Sequence, residues 1–248
     1  MVKHLKKNQI THIKNNMHIL LTRPLEDCHE MILKFQSLGH EISHLPLVTI
    51  EGLKHESLNY SDFKGFIFTS ANAIKFLESK NIDKKINCFC VGNSTEKKAR
   101  SIGFQNVFSA EGNVKNLKEL ILQNFNSSDG KLLYITGEII SSNLDKELIS
   151  EGYNLKRITN YRANPIKKFD QSFIDRIKLK MPQIVYIYSQ NSAISFLNII
   201  KNYQMDSLWM DTNLMCIGEK ASSILNEIKW KKIFLFNPGE EEFLLYKI

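Results

Sequence analysis

No histidine occurs beyond residue 55; all seven lie at or before His55 in a chain of 248 residues. An imidazole base can therefore come only from the amino-terminal segment. His40 and His44 are four apart there, but on a stretch that reads as extended, so they share no helical face and no zinc pair is expected. Cysteine is scarce as well. Cys28, Cys88, Cys90 and Cys216 are too few and too scattered for a disulfide scaffold. Cys88 and Cys90 alternate on one strand, as buried thiols do, and a reducing cytoplasm is the expected setting. No apolar run approaches the ~20 residues that span a bilayer, so no membrane partner is expected. Residues 1–16 carry four lysines and no apolar core of the signal-peptide kind. They read as a flexible basic tail without a part in the fold. The chain also has no G-x-G-x-x-G after a strand, no P-loop and no nucleophile elbow. Dinucleotide, nucleotide-triphosphate and catalytic-triad chemistry are therefore not expected.

Apolar content of 43% and charged content of 24% describe an ordinary globular chain with a proper core. Net charge is +7, which fits either a nucleic acid or a small polyanion. The lysine pairs at 6–7, 84–85, 97–98, 167–168 and 231–232 are spread along the chain instead of gathering beside aromatic residues. A solvated surface explains most of these pairs, and their dispersion argues against nucleic acid, although charge alone does not choose between the two partners.

The chain repeats itself. The stretch from Phe68-Thr69-Ser70-Ala71-Asn72 to Leu77 returns 120 positions on as Tyr188-Ser189-Gln190-Asn191-Ser192 to Leu197. Cys90-Val91-Gly92 returns 126 positions on as Cys216-Ile217-Gly218. Each copy reads strand, Ser/Thr turn, helix, strand, glycine turn, helix, strand, which is one α/β half written twice. The periodicity predicts strands at 18–22, 65–69, 87–91, 106–109, 131–135, 154–161, 183–188, 213–217 and 232–236. Helices are predicted at 25–38, 71–79, 94–102, 114–125, 141–151, 170–180, 191–202 and 219–228, with a last one from Glu240. Strands alternating with helices imply parallel sheets covered on both faces. The expected fold is thus two similar doubly wound, flavodoxin-like α/β lobes. Residues 17–44 and 166–248 form a discontinuous first lobe and 52–158 the second, joined by linker strands at 45–51 and 159–165, with Ala163-Asn164-Pro165 breaking the regular pattern.

Open α/β sheets bind ligands at the carboxyl ends of their strands. Six turns stand there: Thr22-Arg23, Thr69-Ser70 with Asn72 beyond, Gly92-Asn93-Ser94-Thr95, Thr136-Gly137, Ser189-Gln190, and Gly218-Glu219-Lys220. Each offers free helix-start N–H groups and hydroxyls to an anion. Taken singly, each Ser, Thr or Asn is as well explained as a helix cap. Their recurrence on both halves points to a shared anion site.

Several motifs fall in order between about residues 18 and 244. They are Leu20-Leu21-Thr22-Arg23-Pro24, Phe68-Thr69-Ser70-Ala71-Asn72-Ala73, Cys90-Val91-Gly92-Asn93-Ser94-Thr95, Asn160-Tyr161-Arg162 with a proline after it, and Cys216-Ile217-Gly218. Together they resemble the uroporphyrinogen-III synthase family. The resemblance implies a two-lobed enzyme that binds hydroxymethylbilane in a cleft. Such an enzyme dehydrates and cyclises the bilane with inversion of the last ring through a spiro intermediate, in haem and sirohaem (tetrapyrrole, porphyrin) biosynthesis. It implies a lyase that uses no metal or organic cofactor. It assigns Tyr161 as proton donor and Thr95 as a hydroxyl that affects activity, with Arg23, Thr69, Ser70 and Ser189 along the cleft. Lys220 departs from the family pattern, where threonines are common, and is assigned to a substrate carboxylate. A cytoplasmic monomer is expected, making at most transient contact with neighbouring pathway enzymes. The competing reading is a bilobal binding protein for a small polyanion, without catalysis.

Overall fold

The computed structural model describes residues 16–111, 113–140, 142–236 and 240–241. The expected basic tail and most of the expected last helix lie outside these. Strands and helices alternate through two compact units, one comprising 16–47 with 166–236 and the other 48–165.

The first unit contains β1 (His18–Leu21), α1 (Leu25–Ser37), β2 (Glu41–His44), α6 (Gln171–Leu179), β9 (Ile184–Ile187), α7 (Gln190–Asn202), β10 (Asn213–Ile217), α8 (Glu219–Ile224) and β11 (Lys232–Phe236). Its sheet runs β11-β10-β9-β1-β2 with every pair parallel. β1 and β9 are buried along their whole length, as their unbroken apolar sequences require of strands covered on both faces. α1 buries Cys28 and Phe35, which are seven apart and so share one stripe. It stops at Leu38, where Gly39 takes φ +88°, a conformation that favours glycine. On the other face Phe196 meets Trp209 edge-on at 5.0 Å among Leu20, Val185, Ile187 and Leu214. Such a ring pair adds about 0.5–1.5 kcal/mol beyond its buried area.

The second unit contains β3 (Val48–Gly52), β4 (Phe63–Phe68), α2 (Ala71–Lys75), β5 (Asn87–Val91), α3 (Asn93–Ser101), β6 (Val107–Ala110), α4 (Val114–Asn124), β7 (Lys131–Gly137), α5 (Leu144–Ser150) and β8 (Leu155–Pro165). Its sheet runs β3-β8-β7-β4-β5-β6, parallel except that β3 lies antiparallel to the end of β8. Phe66, Phe68 and Phe104 fill one face; Phe89, Phe125 and Tyr134 fill the other. All four cysteines are free and buried. Cys88 and Cys90 bring their sulfurs to 3.7 Å, and the hydrogen bond shared with Cys90 together with burial pushes the Cys88 thiol far above its ordinary range.

With β3 set aside, the two sheets have the same order. β2-β1-β9-β10-β11 in one corresponds to β8-β7-β4-β5-β6 in the other. The βαβ pair that opens the first unit (β1-α1-β2) is the pair that closes the second (β7-α5-β8). The units are therefore circular permutations of one flavodoxin-like plan, and the sequence repeat corresponds to the part that is not permuted.

Several expected boundaries differ, four of them most. β8 does not stop at Tyr161 but continues through Pro165, because its last residues find a partner in β3 and Pro165 sits at the final rung, where no N–H is needed. The expected extended stretch at 41–51 is divided between β2 of one sheet and β3 of the other. α2 ends at Lys75, short of residue 79. The Phe76 ring fills the space over Gly52, where a Cβ would sit 2.6 Å from it, and a 3-10 turn at Ser79–Asn81 follows. α8 likewise ends at Ile224, short of residue 228.

Candidate active site

In a doubly wound sheet the crevice opens where successive crossovers turn opposite ways. In the first unit this point lies between β1 and β9, and in the second between β4 and β7. Thr22, Arg23 and Ser189 follow β1 and β9, Thr69 and Ser70 follow β4, and Gly137 ends β7; the other expected site residues stand on neighbouring strands or at their ends.

In the first unit, β1 runs into Thr22-Arg23 and β9 into Tyr188-Ser189. Thr22 is fully buried and its hydroxyl donates to the Tyr186 carbonyl, so this side chain is committed to the core. Arg23 is half-buried and lies over the Tyr188 ring at 4.7 Å, which restrains the guanidinium while leaving its N–H fork free of that ring. Tyr188, which sequence reasoning passed over, stacks on Tyr186 and meets Phe236 edge-on. Ser189 caps α7 by accepting from the Ser192 N–H. The next strand end, after β10, is Gly218 with φ +74° and then the exposed Lys220.

In the second unit, β4 runs into Thr69-Ser70. Ser70 caps α2 by accepting from the Asn72 N–H. The Thr69 hydroxyl lies 3.5 Å from that of Tyr134 on β7. Burial raises the Tyr134 phenol pKa, against a smaller opposing effect of Thr69. The β5 end repeats the device of β10, with Gly92 at φ +77° and an exposed Asn93. At both Gly92 and Gly218 nothing among the described residues lies within 4 Å of where a Cβ would be. Thr95 is buried on the first turn of α3.

Tyr161 stands on β8 between two glycines. Across one side its register partner is Gly52 of β3, and across the other it is Gly137 of β7. The ladder to β7 slips here: Thr136 faces Thr159 while Gly137 faces Tyr161, so Asn160 is an extra residue and β8 carries a bulge. Consecutive strand residues ordinarily point to opposite faces. Here Asn160 reaches Ala73 of α2, donating from Nδ2 to its carbonyl at 2.7 Å, and Tyr161 packs on the same cluster of side chains. A Cβ on Gly137 would lie 2.7 Å from Tyr161 Cζ and 3.0 Å from its hydroxyl oxygen. Glycine at 137 is thus what admits the phenol, a different part from the substrate contact expected of it. Asn160 was named in a motif but given no role. The available signal was its place two residues from Ile158, on the buried parity of the strand.

Among the described residues no three His, Cys, Asp or Glu side chains are grouped to hold a metal ion. None of the described helices is long and apolar enough to cross a membrane. The strand ends of the first unit offer backbone amides, hydroxyls and a guanidinium, and those of the second offer amides, hydroxyls and a phenol. That set suits binding of carboxylates and the protonation of a leaving oxygen.

The family model described as "Uroporphyrinogen-III synthase HemD" matches residues 29–235. No curated protein sequence matches the chain significantly. Among solved structures, the chain is similar to a uroporphyrinogen-III synthetase from Helicobacter pylori, with TM-score 0.61 and 21% identity, over 94% of this chain and 100% of that one. A mutant uroporphyrinogen III synthase from Thermus thermophilus aligns with TM-score 0.49 and 12% identity, over 93% of this chain and 97% of that one. The first of these carries the likeness in fold.

Proposed function

The chain belongs to the uroporphyrinogen-III synthase family, and from that premise we propose how its residues carry out the family's reaction. The protein is an enzyme of tetrapyrrole synthesis that converts hydroxymethylbilane, a small-molecule substrate, to uroporphyrinogen III. The net change is loss of one water, so we class it as a cyclising hydro-lyase. The observation that carries the residue assignment is the bulged strand β8, which sets Tyr161 beside Gly137 at the carboxyl edge of its sheet.

The hydroxymethyl carbon must lose its oxygen. The C–O bond breaks as the oxygen takes a proton and leaves as water, and the pyrrole nitrogen's electron pair stabilises the resulting azafulvenium cation. An ordinary phenol, with pKa near 10, holds its proton at neutral pH and can give it up to a leaving hydroxide. Tyr161 is assigned that step. Ring closure at the substituted carbon of the last pyrrole gives the spiro intermediate, and its opening and reclosure invert that ring. The proton lost on rearomatisation restores the phenol, which balances the cycle. Arg23 and Lys220, with the amides at Ser70, Asn93, Ser189 and Gly218, are assigned to the acetate and propionate groups, whereas the Asn72 and Gly92 N–H groups already donate to the Ser70 hydroxyl and the Ala110 carbonyl. Thr69 supports that edge through Tyr134, and Thr95, buried on the first turn of α3, is assigned as the hydroxyl that affects activity.

The enzyme is proposed to work as a monomer in the cytoplasm, without nucleic acid. Incubating the purified protein with hydroxymethylbilane and separating the product isomers tests the reading. Unaided closure gives the type I isomer, so accumulation of type I alone would refute it.

A further inference from the structure

We propose that Gly137 and Asn160 are positioning residues for Tyr161, forming a notch and a tether that set where the phenol stands. This rests on Tyr161 as the proton donor proposed above. The bulge at Asn160 puts two consecutive side chains on one face of β8, and each is then fixed differently. Asn160 is 1% exposed and tied by its amide to the Ala73 carbonyl on α2, the helix that Ser70 caps. The backbone around it is pinned from both sides: Leu53 N–H donates to the Asn160 carbonyl at 2.8 Å, and Glu138 N–H to the Tyr161 carbonyl at 2.9 Å. The ring end of Tyr161 occupies the volume that any side chain at 137 would fill.

The chemistry of the pair argues for position over stability. The Asn160 Oδ1 is buried without a hydrogen-bond partner among the described residues. A buried unpaired amide oxygen is unfavourable, so this side chain is held here by its Nδ2 bond to Ala73 and not by a fully satisfied amide. Gly137 does not have the positive φ that demands glycine, so an alanine there is opposed by the Tyr161 ring and not by its own backbone. The ring end can swing, so the alanine would displace the phenol instead of unfolding the sheet. A displacement of about 1 Å at a reacting group lowers rate by as much as ~10²-fold.

The test is a cycle of variants assayed for kcat, KM and the type III to type I ratio. Gly137→Ala is expected to lower kcat about 10-fold or more in the wild-type background, with KM within about 2-fold, since it moves a group used in the chemical step. In the Tyr161→Phe background it should lower kcat less than about 2-fold, because the group it displaces is already gone. Asn160→Ala should show the same dependence on Tyr161. Equal losses in the two backgrounds would overturn the proposal. If Tyr161→Phe alone keeps wild-type turnover, the donor assignment fails instead, and thermal melting still tests the positioning. Gly137→Ala should lower Tm with the tyrosine ring present and leave it unchanged in the Tyr161→Ala background. A Tm loss independent of the ring would refute the notch, and a Gly137→Ala chain that does not fold should be rescued by Tyr161→Ala.

Discussion

Replacing Tyr161 with phenylalanine separates the phenol's proton from its ring. The ring packs against the aromatic-rich cluster of the second unit and stands over Gly137. Tyr161→Phe keeps all of that packing. Loss of one partly buried hydroxyl should change stability by no more than about 1 kcal/mol. General acid catalysis contributes about 10²–10⁴-fold. The effect here should fall at or below the low end, since the leaving hydroxyl sits on a pyrrolic carbon that ionises readily. Turnover is therefore expected to fall roughly 10–100-fold, equivalent to about 1.4–2.7 kcal/mol of barrier. The assay follows bilane consumption and product isomers at saturating substrate, with circular dichroism and melting to establish folding. A folded variant with wild-type turnover and pure type III product would return Tyr161 to a packing role.

Arg23→Ala should raise KM more than it lowers kcat, by about 1–2 kcal/mol, because a guanidinium–carboxylate pair acts on bound substrate and transition state alike; a collapsed kcat at constant KM would place Arg23 in the chemical step. Thr95→Ala should lose less activity than Tyr161→Phe, since a hydroxyl on a first helical turn is worth about 1 kcal/mol, and a larger loss measured in parallel assays would reverse that ranking. Burial lowers the His18 pKa, with Glu41 opposing it and Lys180 adding to it. The unfolded chain therefore binds the proton more readily than the folded one. This contribution to stability is fully present above about pH 6.5, the unfolded value, and is lost as pH falls through the folded pKa. Denaturant midpoints measured from pH 7.5 to 5 should fall less for His18→Gln than for wild type, and parallel falls would show that His18 does not titrate on unfolding.

Much of the fold was legible because the repeat carries its own register. Phe68-Thr69-Ser70 and Tyr188-Ser189 each mark a strand running into a capped helix, and Gly92 and Gly218 each mark a left-handed residue that few other side chains tolerate. What could not be read was pairing at a distance. Pro165 looks like a break in any local window, yet it ends a strand whose partner, Val48, lies more than a hundred residues away. The site was legible as a set of turns and illegible as geometry. Thr22 has the sequence of a ligand contact, but its hydroxyl is taken by Tyr186. Gly137 reads as one more turn glycine until the register slip at Asn160 brings Tyr161 against it. Alternation predicts where a side chain points only while the ladder is regular, and at Asn160 it is not.

The central claim, that this chain closes a linear tetrapyrrole with inversion of one ring, is tested most directly by the product itself. Hydroxymethylbilane should be supplied to the purified protein over a range of enzyme concentrations, and the oxidised uroporphyrin isomers separated and quantified. The type III fraction is expected to rise with enzyme concentration toward unity as catalysed closure outruns the spontaneous reaction. A type I product at every concentration, despite demonstrable bilane binding, would contradict the account and leave a protein that holds the substrate without turning it over.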